Sequence, residues 1–199
     1  MRFLSFSSGS CGNCYLLLHE EEGCATSGVL IDAGVSIRRM KKVLESQSLD
    51  LDCFQSVLVT HDHGDHIRNL GSICKRLSRP VYTTSILQDA LAWHPFTRLE
   101  IGGCRRDLLP RVWNPVAEGI EVQYFEVPHD ATQTVGYAIR AFMHPGLRNL
   151  FLCHLSGNNN TPRLAYDNAR AVLEELGVEP GTVHLRVLER GIPSPLLLL

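Results

Sequence analysis

Apolar positions near the start of the chain fall first into strand-like runs and then into helical spacing. Short apolar runs at 3–6, 15–18 and 29–31 are separated by Gly and Ser turns, and they predict an antiparallel meander. Ser36 can then cap a helix, because apolar residues recur at helical spacing over 37–44. The first quarter of the chain therefore combines a small sheet with a helix.

The rest of the chain continues this mixture. Further strands are expected at 56–59, 80–82, 120–127, 134–141, 150–153 and 183–188, and further helices at 66–77, at 84–93 and from Thr161 onward. Residues 100–118 show no clear periodicity and are expected to be loop-rich, and Leu196–Leu199 is expected to be a sticky tail or a strand end. This order fits neither an all-β sandwich nor a regularly alternating parallel sheet. It favours an α/β (α+β) fold, a four-layer αββα sandwich with two sheets face to face and helices outside.

Composition narrows the class of protein. With 199 residues, 44% hydrophobic content and a formal charge of -2, the chain is expected to form one folded domain over 1–199. It has no apolar run long enough to span a bilayer and no signal-like start, so we expect a cytoplasmic protein without a membrane partner.

The cysteines do not form a recognisable framework. Their number, seven, is odd and their spacing is irregular, which favours reduced thiols over a set of disulfides. Cys11 and Cys14 have the spacing of a redox or zinc pair, but they lie in a Ser- and Gly-rich turn without a second pair. We expect both to be structural.

Candidate chemistry is concentrated directly after the predicted strand at 56–59. Three histidines and two aspartates follow within six residues: His61, Asp62, His63, Asp65 and His66. Neutral imidazole suits Zn²⁺, Mn²⁺ or Fe²⁺, and added carboxylates favour a two-metal hydrolytic site over a closed structural one. The alternative is a solvated, His-rich loop.

Two further histidines lie where additional ligands would be needed. His129 and His154 each follow a predicted strand, as the first cluster does. For His154 the alternative is a buried core histidine.

These residues resemble a known family. The run 61–66 is similar to the HxHxDH signature of the metallo-β-lactamase superfamily, and several other segments look like its YycJ-like (WalJ-type) exonuclease branch. Those segments are 7–15, 30–34, 128–131 and 154–162. The resemblance covers most of the chain and implies a metal-dependent phosphodiesterase or DNA exonuclease that uses Zn²⁺ or Mn²⁺, with DNA as substrate.

The resemblance also implies a ligand set. It places one metal ion on His61, His63 and His129. It places a second on Asp65, His66 and His154, and we expect Asp65 and His154 to be catalytic.

One part of the family pattern is missing from the sequence. Relatives carry a metal-bridging Asp, in an Asp-x-Gly turn, between the strand at 134–141 and the last histidine motif. Here only 142–150 intervenes, so we expect an internal deletion that truncates the domain between about 141 and 150. His144 could replace the bridging residue, although a surface-loop role is favoured. Asp130 is expected to orient His129 or to cap its turn, and Asp62 to play a similar part, because ligating imidazoles usually donate their other N–H to an outer acceptor.

Three hypotheses follow for the function. The first is a phosphodiesterase or DNA exonuclease that uses a metal-bound hydroxide as its nucleophile. The second is a hydrolase of small esters or thioesters on the same fold. The third is a degenerate, catalytically impaired metal-binding paralogue.

Overall fold

The fold is a mixed α/β arrangement built on one large sheet. The computed structural model describes residues 1–20, 27–126, 131–139, 149–152, 162–175, 179, 181–188 and 191–198. The strands are β1 (Arg2–Ser7), β2 (Cys14–His19), β3 (Ser27–Ile31), β4 (Ser56–Leu58), β5 (Val81–Thr83), β6 (Arg105–Asp107), β7 (Asn114–Ala117), β8 (Ile120–Glu126), β9 (Val135–Ile139), β10 (Asn149–Leu152), β11 (His184–Val187) and β12 (Leu197–Leu198). The helices are α1 (Ile37–Ser46), α2 (Gly64–Ile67), α3 (Leu70–Leu77), α4 (Ser85–Trp93) and α5 (Pro162–Glu175).

The large sheet has seven strands in the order β12-β1-β2-β3-β4-β5-β6. Its first half is antiparallel, whereas β3, β4, β5 and β6 run parallel to one another. Helices make the crossovers between these parallel strands, as parallel pairing requires. The carboxyl ends of β3 and β4 therefore meet at one edge of the sheet.

Both faces of the large sheet are buried, and the strands divide their side chains between two cores. In β2, Leu16 and Leu18 join the core beneath helices α1 to α4, while Leu17 points into a second core. That second core is closed by the three-stranded sheet β7-β8-β9, through residues such as Ile120 and Val122. The period-two alternation of strand side chains produces this division.

A smaller unit contains β10 and β11, which pair in parallel. Helix α5 lies between them in the chain and packs beside β11. The residues of the expected truncation, 140–148, lie outside the described part of the chain, so the single truncated domain stays a prediction.

Most of the predicted elements are confirmed. The opening meander, the helix capped by Ser36, and the strands and helices near 56, 81, 85, 120, 135, 149, 162 and 184 all appear. The α/β class is confirmed as well. The C-terminal leucines form a strand end, because β12 pairs with the outer edge of β1.

Two predictions were wrong in detail. Residues 100–118 are not only loop, since β6 and β7 lie there. Their composition conceals them: β6 is a charged edge strand, and β7 contains Pro115, which a strand tolerates at a sheet edge. The helix expected over 66–77 is divided into α2 and α3, because the backbone N–H of Asn69 donates to Ala33 O at 2.9 Å.

In the described part of the chain, no helix combines the length and the apolar character that crossing a bilayer would require.

Gly34 provides a direct test of how the turn after β3 is packed. A Cβ at this position would lie 1.9 Å from the backbone oxygen of Asp65 and 2.5 Å from the backbone nitrogen of Asn13. We expect Gly34→Ala to lower the free energy of unfolding by about 1–3 kcal/mol, because backbone atoms have little room to yield. Urea denaturation measures the change.

Gly102→Ala is the matched control. A Cβ at Gly102 would meet nothing within 4 Å. Its effect should stay within about 0.5 kcal/mol, as for ordinary surface substitutions. Equal losses in the two variants would contradict the close packing at Gly34.

Candidate metal centre

The histidine-rich segment lies at the edge where β3 and β4 end. The two strands pair in parallel, with Ile31 opposite Leu58, so the residues after them emerge side by side. Asp32 continues the ladder by donating its N–H to Leu58 O at 2.8 Å. Its φ of 59° is left-handed, a conformation that Asp adopts more easily than most residues. The turn aims its carboxylate at the segment that follows β4.

Asp32 is the hydrogen-bonding centre of the cluster. Its side chain is buried, and Oδ1 accepts the backbone N–H of Thr60 at 2.9 Å. Oδ2 accepts from Thr60 Oγ1 at 2.8 Å and from His66 Nδ1 at 2.7 Å. In the described part of the chain, three donors therefore satisfy this carboxylate, as a buried polar group requires.

These bonds assign the tautomers of two histidines. A carboxylate only accepts hydrogen bonds, so His66 Nδ1 must carry a hydrogen. Thr60 Oγ1 has one hydrogen and gives it to Asp32, so it accepts from His61 Nδ1, which lies 2.9 Å away. In the neutral form of each ring, Nε2 then holds the lone pair that a metal ion would bind.

The three imidazoles of the segment lie together. The ring centroid of His61 is 3.9 Å from that of His66 and 4.8 Å from that of His63. His63 is the residue before α2, and its side chain makes no capping hydrogen bond to the helix. The rings of the predicted first and second metal positions are therefore neighbours.

The electrostatic environment of His66 favours positive charge. Burial alone would lower its pKa, but the hydrogen bond and negative charge of Asp32, together with the charge of Asp65, outweigh this and raise the pKa. The same carboxylates would stabilise a cation bound at this position.

The position of Asn13 bears on whether Asp65 and His66 suit a metal ion. Its side-chain Nδ2 lies 3.0 Å from both Asp65 Oδ2 and His66 Nε2, so a positively polarised N–H group faces both atoms. Those two atoms are 3.8 Å apart. Zinc binds nitrogen and carboxylate oxygen at about 2.0–2.2 Å, so a single ion could contact both. The donor set thus fits a divalent ion.

Asp62 differs from the prediction made for it. It was expected to accept an N–H from a ligating imidazole, but in the described chain its carboxylate accepts from Thr132, through the backbone N at 3.2 Å and through the hydroxyl. These bonds lower the pKa of Asp62 in spite of its partial burial, which acts in the opposite direction. In the described residues it is Asp32 that accepts an N–H group from a ring of the segment, namely that of His66.

A backbone hydrogen bond joins the histidine-rich segment to the three-stranded sheet β7-β8-β9. The N–H of Val135, the first residue of β9, donates to Thr60 O at 2.9 Å. Together with the Asp62 contact to Thr132, it attaches the cluster to the chain that follows position 130.

The described residues contain only part of the predicted ligand set. His61, His63, Asp65 and His66 are brought into one cluster, whereas His129, Asp130, His144 and His154 lie outside the described residues. Within the described ranges, no three His, Cys, Asp or Glu side chains form a group able to hold a metal ion. The full set of ligands, and the catalytic roles of Asp65 and His154, stay predictions.

Sequence reasoning assigned no role in the site to Asp32 or Asn13. Asp32 had a usable signal, because a polar residue ending one parallel strand lies beside the residues that end its neighbour. Asn13 had none, since it belongs to a Ser- and Gly-rich turn far from the cluster in sequence. Only the fold brings Asn13 next to the histidine-rich cluster.

Cys14 is structural, as predicted, whereas the same role for Cys11 stays a prediction. Cys14 is buried in β2 with its Sγ 3.8 Å from Met40 Sδ, whereas Cys11 is exposed. Burial, with the nearby Asp32, raises the pKa of the Cys14 thiol well above its usual range. It is therefore a protonated core residue.

Comparisons with known sequences agree with this geometry. A family model described as a beta-lactamase superfamily domain matches residues 28–158. Exodeoxyribonuclease YycJ of Bacillus anthracis is 30% identical over 141 residues, which are 69% of this chain and 49% of that protein. The chain spans about half the length of the curated relatives it matches.

Solved structures give the same answer for the fold. The crystal structure of BLEG-1 B3 metallo-beta-lactamase matches with a TM-score of 0.52 and 21% identity, covering 75% of this chain and 70% of that one. A diphosphatase from the PhnP family matches with a TM-score of 0.59 and 16% identity, covering 100% and 99%. The resemblance inferred from the sequence motifs is confirmed: the chain belongs to the beta-lactamase superfamily and has the metallo-β-lactamase fold.

Proposed function

We propose that this chain is a metal-dependent hydrolase of phosphodiester bonds that acts as a DNA exonuclease. The observation that carries the proposal is the hydrogen-bond chain from Asp32 through Thr60 to His61, with its branch to His66. It places the ring hydrogen of both imidazoles on Nδ1, which supports the proposal that their Nε2 lone pairs bind metal. The choice of DNA is supported by the 30% identity to an exodeoxyribonuclease.

The proposed ligands are those of the family pattern. His61, His63 and His129 would hold one ion, and Asp65, His66 and His154 a second. When bound, Zn²⁺ or Mn²⁺ would activate water as a nucleophile near neutral pH and stabilise negative charge on the phosphate. The expected bridging Asp is absent from the sequence, so the proposal requires only one bound ion per chain.

The chain's own residues prepare this chemistry. Asp32 and Thr60 fix the orientation of His61 and His66 before any ligand binds, so little reorganisation is required. Asn13 is fully buried, and its amide nitrogen faces Asp65 and His66, so it helps to hold these two side chains in position. Asp65, beside it, and His154 are proposed to act at the scissile phosphate.

Hydrolysis of linear DNA tests the proposed function. We expect the purified chain to shorten end-labelled linear DNA with added Mn²⁺ or Zn²⁺, to leave covalently closed circles intact, and to lose activity in a chelator. His61→Ala should lower both the bound metal, measured by atomic emission, and the rate, the latter at least about 100-fold, because it removes a ligand that positions the reacting groups.

His184→Ala is the control, since His184 is exposed on β11 at a distance in sequence from the cluster. It should retain both the metal and the rate. Stoichiometric metal without hydrolysis of any phosphodiester would contradict the nuclease, and hydrolysis of small esters or thioesters instead would identify the second hypothesis.

Asp32→Asn tests the orienting role of the buried carboxylate. Asn also adopts left-handed φ readily, so the turn should persist while the hydrogen-bond pattern changes. We expect metal affinity to fall about 10- to 100-fold, the usual effect of removing an outer partner of a ligating histidine. Competition with a chromophoric chelator measures the affinity.

Asp89→Asn is the control, because it makes the same substitution at another position. Asp89 is exposed and pairs with Arg105 at 2.7 Å. Its metal affinity should match that of the unaltered chain. Unchanged affinity in Asp32→Asn would remove Asp32 from the proposed mechanism.

A further inference from the structure

The segment that follows α4 exposes large apolar side chains. Trp93 is 84% exposed, Phe96 43% and Leu99 83%. Apolar exposure at single sites is ordinary, but here three large apolar side chains are exposed within seven consecutive residues.

This segment packs directly on the histidine-rich segment. A Cβ placed on Gly64, between His63 and Asp65, would lie 3.3 Å from Phe96 Cε2. One placed on Gly71 of α3 would lie 2.4 Å from the backbone oxygen of Phe96. The ring of Phe96 is therefore at van der Waals distance from the turn that separates two proposed metal ligands.

The aromatic residues are held by a defined turn. The backbone N–H groups of Thr97 and Arg98 donate to His94 O at 3.1 and 3.0 Å. The Thr97 side chain is fully buried and donates to Leu91 O. The imidazole of His94 lies 5.2 Å from the ring of Phe96, centroid to centroid. Binding here would cost little ordering of the backbone.

Cationic side chains accompany the rings. Arg98 follows Phe96 by two residues, and Arg68 follows His66 by two; both are exposed. In the described ranges, neither forms an ion pair with a carboxylate. Exposed aromatic rings combined with guanidinium groups are the features by which proteins bind single-stranded nucleic acid, through base stacking and phosphate contacts.

We propose that Trp93 and Phe96 form a stacking surface for bases of a single-stranded DNA end, with Arg98 contacting its phosphates, beside the metal centre. The inference rests on the proposed function for its choice of DNA. A second copy of the chain is a less suitable occupant, because arginines interrupt the apolar surface and the rings adjoin the ligand turn.

Tryptophan fluorescence tests the surface without catalysis. The chain has two tryptophans, so Trp113→Phe leaves Trp93 as the reporter. In a chelator, an oligothymidylate of about 12 nucleotides, within the site sizes of single-strand binders, should quench Trp93. An abasic oligomer of the same length carries the same phosphates and should not. Equal quenching by both oligomers, or none by either, would overturn the proposal.

Affinity measurements separate the ring contacts from general charge. Trp93→Ala and Phe96→Ala should each weaken oligothymidylate binding about tenfold, equivalent to about 1.4 kcal/mol. Ile86→Ala, on α4 and 54% exposed, should bind normally. A change in the oligomeric state of Trp93→Ala with unaltered DNA affinity would instead identify a protein interface and overturn the proposal.

Kinetics distinguish this inference from the proposed function. Trp93→Ala should raise KM for oligothymidylate about tenfold, with kcat and the rate on the abasic oligomer within twofold of the unaltered chain. Full nuclease activity with equal KM values would overturn the stacking surface and leave the function intact. Base-dependent quenching in a chain that hydrolyses no DNA would overturn the proposed function and leave the stacking surface intact.

Discussion

The arrangement of the site depends on one buried carboxylate. Asp32 is 1% exposed, and a carboxyl group at that depth is tolerated only when hydrogen-bond partners surround it. Thr60 and His66 supply those donors, so satisfying the charge also fixes the start of the histidine-rich segment. Parallel pairing of β3 and β4 allows Asp32 to meet the start of this segment. The atoms that meet this requirement of folding are thus the same ones that orient the proposed metal ligands.

The cluster also lies where the large sheet meets the three-stranded sheet β7-β8-β9. One end of the segment is bonded to the turn after β3, while Thr60 O accepts from the first residue of β9, and Asp62 accepts from Thr132. The large sheet is buried on both faces, so the strands next to these bonds are packed from both sides. This gives the rigid support that a reacting site needs, since small displacements of positioned groups reduce rates strongly.

The sequence predicted the elements and the local cluster better than the long-range contacts. Hydrophobic periodicity located the strands and helices whose side chains are buried, but not β6, whose pairing is made by backbone groups beneath charged side chains. The histidines became candidates because residues of ligand type lie close together in the sequence. Asn13 was not, because its contact with His66 spans 53 residues and depends on three turns meeting. His129 and His154 were predicted from their positions after predicted strands and from the family motifs.

The close packing at Gly34 has a consequence for how such a site could change or be transplanted. The backbone N–H of Gly34 donates to Asn13 O, and the N–H of Asn13 donates to Asp65 O, so three turns from distant parts of the chain interlock. Their residues should not tolerate independent replacement: a larger side chain at one would be accepted only with compensating changes in the other two. A designer who grafted the six-residue histidine segment alone onto another scaffold would therefore transfer the ligands without the framework that holds them.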